Sequence, residues 1–218
     1  MFRRKGEKDN AKVSSEELVL PKSGILPVVS SQFCTPNEKL VFSVQKRPNR
    51  SCSGGDLIIN DAESYPFARV EGRQCRLQEK RILRNASGKP LLTLKRKVLS
   101  INYEWDVYLG EKTDPAKLLF RARTSFPLQL KTPVNVYMAY NTDEEQWDFK
   151  VKGDYVERAS VFYYGARTIA QLSRKRSATN ELLGRDTFLI KIEPGVDYVF
   201  VMALVVILDE INRHTNTE

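Results

Sequence analysis

Residues 198–208, close to the C-terminus, constrain the fold of this chain more than any other segment. They are eleven successive uncharged residues, and they follow Pro194-Gly-Val-Asp197. An aspartate in front of such a run is a helix-start signal, since its carboxylate accepts amide protons that the first turn leaves unpaired. A helix that is apolar on every face must be enclosed on every face. The sequence therefore favours a buried C-terminal helix over about residues 197–212.

Three environments are compatible with this apolar segment. It is too short for an upright membrane span, because eleven residues at about 1.5 Å each cover far less than the roughly 30 Å of a bilayer core. Its valines and isoleucines also suit a central strand. The lumen of a closed sheet encloses a helix completely, so it is the favoured environment; the strand and membrane alternatives stay open at this stage.

From Gln32 onward the chain consists of short alternating apolar and polar runs separated by turn residues. This pattern is typical of an antiparallel β protein, and it gives about a dozen strand candidates. Residues 147–152 are an example, because Phe149 and Val151 alternate with Lys150 and Lys152. Alternate side chains point to opposite faces of a strand, which places both lysines on the outer face.

Length and charge indicate one domain with a basic lead-in. The chain has 218 residues and a net charge of +8, so it is long enough for one well-buried core and suits anionic partners. Residues 1–24 are predicted to be a flexible basic segment, and 25–218 a single domain. No apolar stretch follows the basic start, so we expect no secretory signal and a cytoplasmic protein.

The residues needed for catalysis or metal binding are sparse. His214 is the only histidine, and Cys34, Cys52 and Cys75 are widely spaced without a Cys-x-x-Cys pair. Histidine-based nucleophile activation and zinc coordination therefore lack their usual components. The expectation is a protein that is not an enzyme, with no metal and no cofactor.

Clusters of basic residues are the better functional candidates. Two of them follow predicted strands at 91–94 and 168–172, and a faint likeness between the two halves of the chain suggests that these strand ends lie near each other. Clustered cations attract anionic headgroups, while the alternative is a solvated face. The predicted lipid-binding residues are Lys95, Arg96, Lys97, Arg174, Lys175 and Arg176. Further basic residues lie in predicted loops and turns at Lys46, Arg47, Arg50, Arg81 and Arg84.

Several ordered motifs resemble the plant LURP-one-related family. They include Phe149-Lys-Val-Lys-Gly153, Leu-Leu-Gly-Arg-Asp-Thr-Phe at 182–188 and the whole of 194–212. Gln32-Phe-Cys34 and Trp105-Asp-Val107 agree with them. The resemblance extends over about residues 31–213 and implies a mainly β fold: a closed antiparallel barrel of about twelve strands around a central hydrophobic C-terminal α-helix. That fold is similar to the tubby C-terminal domain and to phospholipid scramblases.

The resemblance implies a non-enzymatic peripheral membrane module that binds anionic phospholipid, phosphoinositide above all. It also implies a relation to membrane-tethered transcription regulators and to plant defence. The alternative is a nuclear or cytoplasmic scaffold that binds protein or nucleic acid without lipid. A monomer without a transmembrane segment is expected, either at the plasma membrane or in the nucleus. The cysteine-rich cluster and acidic calcium loop of scramblases are not found, so scramblase activity is not expected.

Overall fold

A computed structural model describes residues 24–47, 56–75, 78–98, 100, 103–124, 133–154, 159–174 and 187–215. In these residues, twelve antiparallel strands form a closed barrel, and one long helix lies inside it. The predicted barrel with a central helix is confirmed. Residues 1–23 of the predicted basic lead-in lie outside the described ranges.

Each strand pairs with its sequence neighbours, and β1 pairs with β12 to close the barrel. The strands are β1 (Leu40–Arg47), β2 (Asp56–Asn60), β3 (Pro66–Cys75), β4 (Gln78–Asn85), β5 (Pro90–Arg96), β6 (Glu104–Leu109), β7 (Leu118–Thr124), β8 (Val134–Met138), β9 (Phe149–Asp154), β10 (Ala159–Tyr164), β11 (Arg167–Arg174) and β12 (Thr187–Ile192). Short 3-10 turns occur at Ser31–Phe33 and Pro115–Lys117. The helix, α1, is Tyr198–Thr215.

The apolar face of every strand points into the barrel. Leu57, Val70, Leu83 and Leu92 are paired in register across four neighbouring strands, and none is more than 2% exposed. This follows from the alternation in the sequence, because one face of each strand carries the apolar residues.

Helix α1 fills the barrel. All side chains from Val199 to Leu208 are buried, and Phe200 packs against Phe120 and Phe149 with ring centroids 5.1 and 4.7 Å apart. Burial of each large apolar side chain contributes about 1.5–3 kcal/mol. The strand alternative is therefore wrong, and the apolar segment is enclosed by β-sheet of its own chain rather than by lipid. Among the described helices, none is long and apolar enough to span a bilayer.

The carboxylate of Asp197 joins the start of α1 to the N-terminal part of the domain. One oxygen accepts the backbone amides of Val199 and Phe200, each at 3.0 Å. The other accepts three consecutive amides from residues 28–30, at 2.7–3.2 Å. We call residues 24–35 the strap, because they lie across this end of the barrel, with bridges from Leu26 and Cys34 to residues 196 and 197. The predicted cap is confirmed, and it also anchors the strap.

The other end of α1 carries buried charges. Arg81 donates two hydrogen bonds to Glu210, at 2.8 and 2.9 Å, and both side chains are almost fully buried. Lys46 lies 3.5 Å from Asp209, and Arg213 lies 2.9 Å from both carboxylates. Carboxylates near a helix C-terminus oppose its dipole, so these cations are needed there. The sequence placed Lys46 in a loop and Arg81 beside a turn. Both residues lie in strands instead, and their side chains stabilise the helix.

A close contact at Gly195 gives the first testable prediction. Gly195 has φ +79°, and a Cβ there would lie 2.2 Å from the carbonyl oxygen of Gly24 in the strap. Gly195→Ala is therefore expected to lower the free energy of unfolding by about 2–4 kcal/mol, through left-handed strain and overpacking. Urea unfolding measures this difference.

Gly110→Ala is the matched control for Gly195→Ala. Gly110 has nearly the same backbone conformation, φ +77°, but a Cβ there meets nothing within 4 Å. Only the strain of the positive φ remains, about 1 kcal/mol. Equal losses of unfolding free energy in the two variants would show that the close approach of the strap to Gly195 does not contribute to the destabilisation.

Candidate anion-binding site

The run Lys95-Arg96-Lys97 does not form one surface patch. Consecutive strand residues alternate between faces, and Arg96 is paired in register with Trp105, whose side chain is fully buried in the barrel. Its guanidinium lies 2.9 Å from both carboxylate oxygens of Glu79 and 4.3 Å above the ring of Tyr103. The charge of Arg96 is therefore neutralised within the domain.

Lys97 is also paired with acids. Its ammonium binds the carboxylate of Glu104 and lies 3.6 Å from Asp106. Partial burial pulls the pKa of Lys97 down, but the bond to Glu104 and the nearby negative charges outweigh it, so the pKa is raised overall. Lys95 lies directly opposite Asp106 in the β5–β6 register. Lys97 is therefore compensated by two acids, whereas Lys95 has Asp106 on one neighbouring strand and Lys80 on the other.

Of the second predicted cluster, the structure describes Arg174, which ends β11, whereas Lys175 and Arg176 lie outside the described residues. Strands β5 and β11 run in the same direction, so their ends reach the same end of the barrel, but they are six strands apart in either direction around it. Arg174 therefore does not lie beside Lys95, Arg96 and Lys97. Lipid binding by these six residues stays a prediction.

A different pair of cations is better placed for binding. Lys150 and Lys152 lie on the outer face of β9, as the alternation predicted, because Phe149 and Val151 are buried inside the barrel. Partial burial, followed by the charge of Lys152, lowers the pKa of Lys150. In the described ranges, no carboxylate forms an ion pair with either lysine. The two ammonium groups therefore repel each other without a compensating acid.

Aromatic rings hold these two lysines in place. The ammonium of Lys150 lies 4.9 Å from the centroid of the Trp147 ring, and that of Lys152 lies 5.7 Å from the ring of Tyr163 on β10. A cation above an aromatic face gains about 0.5–1 kcal/mol at an exposed site. The rings position the ammonium groups but leave their positive charge uncompensated.

The lysines line a surface groove of about 460 Å³, together with Pro133, Gly153 and Asp154. We call it the β9 groove. Gly153 has no room for a side chain, since a Cβ would lie 2.1 Å from the carbonyl oxygen of Ala159. Two ammonium groups bind a phosphate or carboxylate. The groove therefore suits an anion with more than one negative charge.

Groups suited to nucleophilic or metal chemistry do not gather in the part of the chain that the structure describes. No three histidine, cysteine, aspartate or glutamate side chains there are close enough to hold a metal ion. Cys34 is buried, and its burial, with the charge of Asp197, raises the thiol pKa to about 11. A protonated thiol is a poor nucleophile.

Comparison with known protein families gives a match over most of the barrel. A family model described as LURP-one-related matches residues 39–209. The chain belongs to the LURP-one-related family. This match spans all twelve strands and the helix as far as Asp209, so the family resemblance seen in the sequence motifs is confirmed.

Individual LURP-one-related proteins agree with this assignment. The chain is 37% identical to Protein LURP-one-related 15 of Arabidopsis thaliana over 188 residues, which are 85% of this chain and 86% of that protein. It is 32% identical to Protein LURP1 of the same plant, over 85% and 90% of the two chains. A crystal structure of an Arabidopsis thaliana protein superposes with a TM-score of 0.67 at 30% identity, covering 85% of this chain and 98% of that one.

Proposed function

We propose that this LURP-one-related protein is a non-enzymatic module that binds anionic phospholipid headgroups, phosphoinositides above all, in the β9 groove. The observation that supports it is the pair Lys150 and Lys152, two neighbouring cations with no acid paired to them in the described residues. Placing like charges together costs free energy unless an anion binds between them. A phosphorylated headgroup removes that cost.

The chemistry of the groove fits a phosphorylated inositol ring better than a bare anionic surface. Lys150 and Lys152 contact the phosphate monoesters of the ring, each of which carries more negative charge than a phosphodiester. The groove, at about 460 Å³, is within the size range of small-molecule sites, about 300–1,000 Å³. Phosphatidylserine has no phosphate monoester and is expected to bind more weakly.

The proposed role is that of a cytoplasmic regulator that is peripheral at the plasma membrane, present in the nucleus, or both. The family resemblance to membrane-tethered transcription regulators and to proteins of plant defence supports this role.

Vesicle sedimentation tests the proposal. The full chain is mixed with vesicles of phosphatidylcholine alone, with phosphatidylserine added, or with phosphoinositide added. The variant Lys150→Ala/Lys152→Ala loses two headgroup contacts of about 1 kcal/mol each. Its affinity for phosphoinositide vesicles is therefore expected to fall about thirtyfold.

The matched control is Lys95→Ala/Lys97→Ala, which removes the same amount of charge from β5 and its following residue. Because Lys97 is already paired with Glu104 and Asp106, and Lys95 lies opposite Asp106 in the register, affinity is expected to change less than about threefold. Loss of binding in the control, with full binding in the groove variant, would place the site at β5 instead. Equal sedimentation with phosphatidylcholine alone would reject headgroup binding.

Single-stranded nucleic acid is the second candidate ligand of the same groove. Trp147 and Tyr163 beside the two lysines resemble the mixture of aromatic and basic residues that stacks bases and follows a phosphate backbone. A gel shift with a single-stranded oligonucleotide, repeated at rising salt, separates the two ligands. Strong salt-dependent binding without sedimentation on phosphoinositide vesicles would favour nucleic acid.

A further inference from the structure

A second recess, distinct from the β9 groove, lies at the end of the barrel where α1 begins. It is a cleft of about 400 Å³ between the start of β3, the turn after β4 and the strap. Phe33 from the strap, Phe67 from β3 and Tyr198 from the helix line it. We call it the aromatic cleft. It lies by strands β3–β5, whereas the lysine pair lies on β9.

The three rings of the aromatic cleft hold one another in fixed positions. Tyr198 packs edge-on against Phe33 and Phe67, with ring centroids 5.5 and 5.4 Å apart. Phe42 supports this group from inside the barrel, 5.0 Å from Phe67. Edge-to-face pairs at these distances are the favoured aromatic arrangement. The walls of the cleft are therefore formed before any ligand arrives.

The lining of the aromatic cleft carries no charged side chain. A charged ligand entering it would lose its hydration without gaining an ionic partner. Unlike the β9 groove, which carries two lysines, the aromatic cleft is uncharged. It therefore selects an uncharged occupant.

The Tyr198 hydroxyl is the polar group of the aromatic cleft that is open to a ligand. The Tyr198 hydroxyl makes no hydrogen bond with any residue that the structure describes. Burial, followed by the charge of Asp197, raises the pKa of Tyr198, so the hydroxyl keeps its proton and can donate it. By contrast, the Asn85 side-chain oxygen on the facing turn already accepts from Ser87 and from the Lys89 amide.

We propose that the aromatic cleft binds a small uncharged molecule with a flat ring and a hydrogen-bond acceptor at its edge. The ring packs against Phe33 and Phe67, and the acceptor receives the proton of the Tyr198 hydroxyl. The cleft volume holds a molecule of one or two rings. Rigid aromatic walls favour a flat ring over a flexible chain, because the chain loses more conformational entropy on binding.

Saturation-transfer NMR on the full chain tests this assignment with three probes that differ in one property each. Acetophenone combines a ring with a carbonyl acceptor, octan-2-one has the same acceptor on a flexible chain, and benzoate has the ring with a negative charge. Acetophenone is expected to give the strongest transfer. A stronger signal from octan-2-one or from benzoate would overturn the proposed ligand class.

Two tryptophan variants locate the binding. Ala86 lies exposed in the turn that lines the cleft, so Ala86→Trp fills the space without disturbing the core. Ala116 is an exposed alanine in a different turn, so Ala116→Trp is the matched control. The acetophenone signal is expected to vanish in the first variant and to persist in the second. Equal signals in both, or no signal in the unmodified chain, would reject the cleft as a site.

Tyr198→Phe tests the hydroxyl alone. This variant keeps the ring and its packing, and it is expected to weaken acetophenone binding about fivefold, the usual effect of one neutral hydrogen bond. Unchanged affinity would remove the hydrogen bond from the proposal. Because the β9 groove keeps all of its residues in these variants, phosphoinositide binding is expected to be unaltered.

Discussion

Replacing Asp197 by alanine is expected to lower the free energy of unfolding by about 4 kcal/mol. Five backbone amides lose their acceptor, two at the start of α1 and three in the strap. Loss of a helix cap costs about 1 kcal/mol, and each buried donor left unpaired costs about 1 kcal/mol or more. Urea unfolding of the full chain measures the total.

Asp197→Asn separates the two roles of the carboxylate. The amide oxygen can still cap the helix, but its NH₂ group then faces three strap amides that are also donors. Amide hydrogen exchange at residues 28–30 is therefore expected to accelerate in both variants, whereas exchange at Val199 and Phe200 accelerates only in the alanine variant. Unchanged exchange in the strap would show that Asp197 does not hold it.

Asp114→Ala is the matched control for Asp197→Ala. Asp114 caps an exposed 3-10 turn, and its side chain accepts only the amide of Ala116. Water replaces that acceptor at little cost, so the free energy of unfolding is expected to fall by less than about 1 kcal/mol. A loss as large as that of Asp197→Ala would mean that capping alone explains both effects.

The barrel and its helix could be predicted because their signals are local. Alternating residues such as Phe149 and Val151 show which face of a strand is buried, and a long uncharged run shows a fully enclosed segment. Asp197 was recognised as a cap for the same reason. Its second role was not predictable, because the strap amides that it binds lie 167–169 residues away in sequence.

The candidate binding site was harder to predict, because runs of basic residues are a poor guide on strands. Arg96 and its neighbours are adjacent in sequence, yet the pleat sends them to opposite faces, and Glu79 neutralises Arg96 from the neighbouring strand. Lys150 and Lys152 are separated by one residue and so share a face. A search for lysines at every second position, next to aromatic residues, would have found them.

The sequence did not show that Lys150 and Lys152 would have no ion-paired carboxylate among the described residues. Whether a lysine is paired depends on strand register, which brings Glu104 to Lys97 but brings Asn135 to Lys150. For Arg81 the sequence misled in the other direction, because a residue that looks solvated is buried. Its sequence context suggests a solvated turn, but its register position, opposite Leu94, points it into the barrel, where it meets Glu210.

This buried ion pair gives the second large effect. Arg81→Met is expected to lower the free energy of unfolding by about 3–5 kcal/mol, because it leaves the buried Glu210 with Arg213 as its remaining partner. Glu210→Leu is expected to cost a similar amount by leaving the Arg81 guanidinium buried without its carboxylate. Both variants are compared by urea unfolding at neutral pH.

The double variant Arg81→Met/Glu210→Leu decides what the pair contributes. Replacing both members of a buried pair by apolar residues is often nearly neutral, because the desolvation cost disappears with the attraction. The double variant is therefore expected to be within about 1 kcal/mol of the original chain, which corresponds to a coupling energy of several kcal/mol. Additive losses would mean that the two side chains act independently.

Arg69→Met is the control for both single variants. Arg69 lies 3.1 Å from Glu71, but its side chain is 54% exposed, so the change is expected to stay within about 1 kcal/mol and to shrink as salt is added. The effect of Arg81→Met is expected to be nearly insensitive to salt, because its partner is shielded from ions by the barrel. A salt-sensitive loss at Arg81 would show that this end of the barrel is open to water. The carboxylates of α1 would then be stabilised by hydration as well as by Lys46, Arg81 and Arg213.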